Sequence, residues 1–183
     1  LLAEMREWLR LNGTPQSELD QLNRGSTSMM SRVQIAYPDQ TLDGGEEITC
    51  GKFAFKVIWT PGHSAGHICL YDRGHKVLLS GDHVLPRISP SVGLHMQSAG
   101  KPLADYLDSL HLIGKLEAEL VLPGHGDPFH GLPERTTALL EHHKQRLEEL
   151  LRYVVAAGEG GATAYDLAAQ LRWGRNKTWD DLS

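Results

Sequence analysis

Three short polar turns hold the residues of this chain whose types and spacing could do chemistry, and each follows an apolar run. They are Thr-Pro-Gly-His-Ser-Ala-Gly-His at 60 to 67, Ser-Gly-Asp-His at 80 to 83 and Pro-Gly-His-Gly-Asp at 123 to 127. Imidazole and carboxylate together suit zinc, iron or manganese, and a catalytic site usually takes about three protein ligands and leaves a position open for water. His63, Asp82 and His125 would supply that set. A metal lowers the pKa of its water to about 7, so hydrolysis is the natural chemistry. Gly62, Gly81 and Gly124 stand directly before the three candidates and let the backbone turn sharply at a strand end.

A single histidine after a glycine is ordinarily a polar turn residue, and only the recurrence at three successive strand ends argues for ligands. His67 could be a further ligand but, at the start of an apolar strand, reads better as a supporting or packed residue. His83, His95 and His130, with Pro86 and Arg87, lie in loops flanking the turns and are candidates for support or substrate contact. Asp127 reads as a turn cap, His75 as solvated, His111 as packed or exposed, and His142 with His143 as a surface pair on a helix.

Several elements must position these turns. Leu2, Met5, Trp8 and Leu9 give residues 1 to 11 helical spacing, and Thr14-Pro15 opens a second short helix ending near Gly25. A linker or lid is expected from Met29 to Gly45. From Glu46 the period becomes that of strands: two turning near Gly51, then 67 to 71, 76 to 80 and 120 to 122. An amphipathic helix is predicted over 103 to 116, with apolar residues at 103, 107, 110 and 113 and a face widened by Leu112 and Leu116. A long helix runs from Pro133 to about Ala157, and Thr163 caps a last one through Leu171.

The 183 residues suffice for one ordinary core, and 40% hydrophobic with 22% charged residues is usual for a globular domain. A formal charge of -5 provides no basic footprint for nucleic acid. Cys50 and Cys69 lack C-x-x-C spacing and read as buried thiols, which points to a reducing, cytoplasmic setting. No window reaches the roughly 18 apolar residues of a membrane span. The chain opens on Leu1 rather than Met, as expected of a piece cut from something longer.

The three turns, in order and with a helix between the last two, resemble the third, fourth and fifth motifs of the metallo-β-lactamase-fold hydrolases. The resemblance implies an α/β fold: over residues 46 to 157, the C-terminal half of an αββα sandwich. Residues 1 to 45 would be a helical hairpin and linker, and the trailing helical segment 158 to 183 resembles the start of a winged-helix-like appendage. It also implies that His63 binds one metal, Asp82 bridges two and His125 binds the other, with zinc the expected ion and iron or manganese as alternatives. The family's earlier HxHxDH motif is absent from this chain. Two ligands per metal remain, so weak or absent metal and little hydrolysis are expected of these 183 residues. An intact parent would use metal-bound hydroxide on a small-molecule ester, thioester, amide or phosphodiester. A non-catalytic interaction module, a degenerate paralogue and a metal-dependent ribonuclease are the alternative readings. The missing half implies exposed apolar surface and self-association that covers it; neither membrane nor nucleic acid is an expected partner.

Overall fold

A computed structural model describes residues 2–20, 37–94 and 100–171. The expected helix end near Gly25, most of the linker or lid, and His95 lie outside the described residues. Two compact units are present. One combines Leu1–Tyr37 with Lys144–Ser183, and the other is Pro38–His143.

The second unit is built on a five-stranded sheet in sequence order: β1 (Glu47–Cys50), β2 (Phe53–Trp59), β3 (Ile68–Asp72), β4 (Val77–Gly81) and β5 (Leu120–Pro123). The first four strands form antiparallel hairpins, and β5 joins β4 in parallel after helix α2 (Pro102–Ile113). Alternation sets the two faces. Ile58, Cys69, Leu78 and Val121 are cross-strand neighbours or share their face, and on it Tyr106, Leu110 and Ile113 of α2 complete the buried core. Leu132 and Leu139, from helix α3 (Leu132–Ala157), join the same cluster.

The stripe that α2 buries is Tyr106, Ser109, Leu110 and Ile113, whereas Leu112, expected to widen the apolar face, is 51% exposed. Helical geometry explains the difference: positions 106, 110 and 113 follow one face, and 112 is turned away from it.

One further expectation is corrected. Cys50 is exposed because β1 is an edge strand, while Cys69 is fully buried; both are free thiols. His75 is exposed, as expected, and is also hydrogen-bonded. Its backbone N–H and Nδ1 both donate to Asp72, which also accepts from the Ala54 N–H, and its ring rests 4.7 Å from that of Phe53. The β3–β4 turn is thereby tied to a buried carboxylate, and these hydrogen bonds, the His75 backbone N–H foremost, hold the Asp72 pKa below the usual range.

The first unit contains α1 (Leu2–Leu11), a helical stretch at 16–20, the C-terminal part of α3 and α4 (Ala164–Gln170). Gly13, at φ +95°, ends α1 and stands so close to Thr163 that a side chain at 13 would collide with it. Thr163 forms a capping box with Asp166, and the Tyr165 hydroxyl donates to the Glu18 carboxylate. Leu19 and Leu171 are buried.

Leu78→Ala should lower the unfolding free energy by about 2–5 kcal/mol in urea titrations. Leu112→Ala should cost under about 1 kcal/mol. Equal losses at the two positions would contradict the core assignment.

Candidate metal centre

Strand direction brings the three polar turns together. β2 and β4 are each antiparallel to β3 and so run the same way, and β5 is parallel to β4. The C-terminal ends of β2, β4 and β5 therefore share one end of the sheet, and His63, Asp82 and His125 each follow one of them.

Local hydrogen bonds then fix each turn. The Thr60 N–H donates to the His67 carbonyl at 2.9 Å, closing the β2–β3 loop. Gly62, at φ +139°, lets that loop lie against α2, where any Cβ would come within 2.6 Å of the Tyr106 Cα, and the Ser109 hydroxyl donates to the Pro61 carbonyl. At the end of β4 the ladder shifts register between Leu79 and Gly81, and the Gly124 N–H donates to the Gly81 carbonyl at 2.7 Å. A Cβ on Gly124 would sit 2.6 Å from Asp82 Oδ1, so glycine is needed there for the carboxylate to fit.

The three side chains converge on that carboxylate. His63 Nδ1 donates to the Ser91 carbonyl at 2.8 Å, which leaves Nε2 with its lone pair, 3.7 Å from Asp82 Oδ2. His125 Nδ1 lies 2.5 Å from Asp82 Oδ1. Each carboxylate oxygen thus faces a different imidazole. Nitrogen and oxygen donors of these types, with one ring already oriented by a carbonyl, suit a divalent ion. Among the described residues no group of three or more His, Cys, Asp or Glu side chains is placed to hold a single ion.

The remaining candidates separate. His67 lies edge-on to His63, ring centroids 6.1 Å apart, and its Nδ1 meets the Thr60 hydroxyl at 2.8 Å. Burial, reinforced by His63 and opposed by Asp82, lowers its pKa. His83 is fully buried and out of a substrate's reach: its ring packs on Tyr106 at 4.9 Å and faces His67 at 5.7 Å, and among the described residues neither ring nitrogen makes a hydrogen bond of good geometry. Burial foremost, then His67, pushes its pKa down to about 3, so the imidazole is neutral. Pro86 rests against Gly126, and Arg87 pairs with Asp127 at 3.6 Å, both ends 85% exposed; Asp127 thus meets an arginine at the rim rather than showing a turn cap. His130 belongs to the opposite end of the sheet, where Nδ1 donates to the Glu119 carbonyl just before β5. His95 lies outside the described residues.

Three groups with a hold on the site left no sequence signal: the Ser91 carbonyl, Tyr106 and Arg135. Arg135 donates to the carbonyls of Leu85 and Ile88 at 2.6 and 2.7 Å and anchors the loop that carries Pro86 and Arg87. His143, expected at the surface, stacks on Tyr106 at 5.3 Å and meets the Ser89 hydroxyl at 3.3 Å. Beside His63 opens a cavity of about 260 Å³, lined by Trp59, Pro61, Pro102 and Asp105 among others.

Comparison with known proteins shows the family and the fold. The model of the Metallo-beta-lactamase superfamily matches residues 3–125. A lactamase-like protein of Penicillium aethiopicum is 27% identical over 68% of this chain and 39% of its own length. A probable metallo-hydrolase of Bacillus subtilis is 30% identical over 66% of this chain and 38% of its own. Among solved structures, a metallo-beta-lactamase family protein from Thermus thermophilus is 33% identical with a TM-score of 0.79, covering 91% of this chain and 52% of that one. A beta-lactamase domain protein from Burkholderia ambifaria is 34% identical with a TM-score of 0.65, covering 78% and 47%. The chain spans about two fifths of these curated relatives and about half of these structures.

The burial of His83 makes stability pH-dependent. Its folded pKa of about 3 lies below the roughly 6.5 of a free imidazole, so the unfolded chain binds a proton that the folded chain refuses. Stability is complete above about pH 6.5 and falls by at most about 1.4 kcal/mol per pH unit as pH drops toward 3, with His67 acting in the same direction. His83→Phe should flatten this slope in urea unfolding between pH 7.5 and 4.5, and an unchanged slope would refute the assignment.

Proposed function

Because residues 3–125 match its model, the chain belongs to the metallo-β-lactamase superfamily, and we propose that its three converging turns are part of the metal centre of a hydrolase. The superfamily is metal-dependent, and membership supports a metal-dependent hydrolytic kind of function. The observation that carries the site reading is the Asp82 carboxylate lying between two imidazoles, one oxygen facing His63 and the other His125.

In this reading His63 Nε2 and His125 would each hold an ion, with Asp82 between them. Zinc, when bound, would supply Lewis acidity and a water acidic enough to ionise near neutral pH. The chain's own residues do the positioning. The Ser91 carbonyl keeps the Nε2 lone pair of His63 directed at the site, the Gly124–Gly81 hydrogen bond holds Asp82 beside His125, and Arg135 secures the flanking loop. Substrate would approach over the cavity beside His63 and the exposed Arg87, and esters, thioesters, amides and phosphodiesters are the bond classes that such a centre cleaves.

Each histidine shares only Asp82 with its ion, so these 183 residues alone bind zinc weakly and turn over little. A non-catalytic module is the alternative favoured by the same sparse ligand set among the described residues. Self-association is also part of the reading. Val57, Leu70, Leu79 and Leu122 are cross-strand neighbours on the sheet face turned away from α2; Val57 is buried, and the other three are partly exposed and available to a second copy.

Zinc titration by calorimetry should show weak binding in the wild-type chain, weaker still in His63→Ala and none in Asp82→Ala. Tight stoichiometric zinc that survives Asp82→Ala, or turnover that survives His63→Ala, would sink the proposal. Sedimentation velocity should show mass rising with protein concentration, and a monomer throughout would remove the self-association reading.

A further inference from the structure

Beneath the candidate centre, a buried chain of polar groups ends on His67. Thr60, Cys69 and Ser80 are all fully buried. Cys69 Sγ lies 3.6 Å from the Ser80 carbonyl, Thr60 Oγ1 lies 3.4 Å from that sulfur, and His67 Nδ1 lies 2.8 Å from Thr60 Oγ1. The polarity of this chain can be worked out from its end. A carbonyl only accepts, so the thiol donates to Ser80; burial pushes the Cys69 thiol up to about 12, which keeps the proton on sulfur. With S–H committed, the sulfur is free to accept from the Thr60 hydroxyl. Its oxygen is then left to accept from His67 Nδ1–H.

Every buried donor in this arrangement finds an acceptor. The reverse polarity would place the imidazole proton on Nε2, which makes no hydrogen bond among the described residues and faces Gly81. The ring and the turn are close: a Cβ on Gly81 would come within 2.8 Å of Nε2 and 3.2 Å of Cε1. Gly81 itself holds φ +51°, a conformation that turns the chain from β4 into Asp82.

We infer that His67 is a positioning residue: the buried Thr60–Cys69–Ser80 chain holds it as the Nδ1–H tautomer, and its bare Nε2 edge packs against Gly81 and fixes the turn that presents Asp82. The inference rests on the ligand role given above to Asp82. It adds a requirement for one tautomer, and for a threonine that touches neither metal nor substrate. Packing alone would need the shape of His67 but would be indifferent to which nitrogen carries the proton.

The ring nitrogens can be read directly by ¹⁵N NMR on the uniformly labelled 183-residue chain without metal at pH 7.5. The wild type should show His67 protonated at Nδ1 and bare at Nε2. Thr60→Val, close in shape but without the acceptor, should move the proton to Nε2 and shift the Gly81 amide resonance, and Thr60→Ser should restore both. In a cobalt titration followed optically, Thr60→Val should weaken binding about ten-fold, with Thr60→Ser at the wild-type value. A wild type protonated at Nε2, a Thr60→Val chain that keeps its tautomer, or one that changes tautomer while the Gly81 resonance stays in place would each overturn the inference. Failure of every chain to take up cobalt would instead count against the metal centre, and the metal-free spectra would still decide the tautomer and its hold on Gly81.

Discussion

The contact between the β4 and β5 ends is the constraint on which the rest of the site depends. The Gly124 N–H···O=C Gly81 hydrogen bond of 2.7 Å brings two backbones so close that neither residue could carry a side chain without displacing a neighbour. On one side the neighbour is the Asp82 carboxylate and on the other the His67 ring. Asp82 and His125 are held together because the backbones beneath them are. The irregular register between Leu79 and Gly81 belongs to the same arrangement, since it lets β4 leave the sheet and turn its next residue toward β5.

Buried aromatic and imidazole rings link this end of the sheet to the core. Tyr106 lies at the centre: its backbone limits the space beside Gly62, its ring receives His83 and His143, and its hydroxyl donates to the His83 carbonyl. The turn bearing His63 and the turn bearing Asp82 are consequently packed on one side chain of α2. The geometry of the candidate ligands is inherited from core packing, which tolerates little change in volume.

The three candidate ligands were legible in the sequence because their turns are local: apolar run, glycine, donor. Strand and helix positions followed from periodicity, and the observed elements begin and end within a few residues of the expected ones. What escaped was non-local. The Ser91 carbonyl acts through a backbone atom that every residue has, and Arg135 reaches back to the carbonyls of Leu85 and Ile88 from a helix far along the chain. His130 illustrates the opposite error. It follows the His125 turn closely in sequence, but the chain doubles back through the Val121–Phe129 bridge and carries it to the other end of β5. Cys50 looked buried by its apolar neighbours, and only the strand order shows that β1 is an edge.

Sheet topology also sets an order of assembly. The β1–β4 meander closes through short hairpin loops, whereas β5 reaches β4 only after the intervening loop and α2 are in place. Loop-closure entropy makes such a distant pairing a late event relative to neighbouring hairpins. His63 and Asp82 belong to the early meander and His125 to the late strand. A nascent chain would then complete this candidate centre only with the pairing that completes the sheet, so metal capture by all three residues would mark the end of folding.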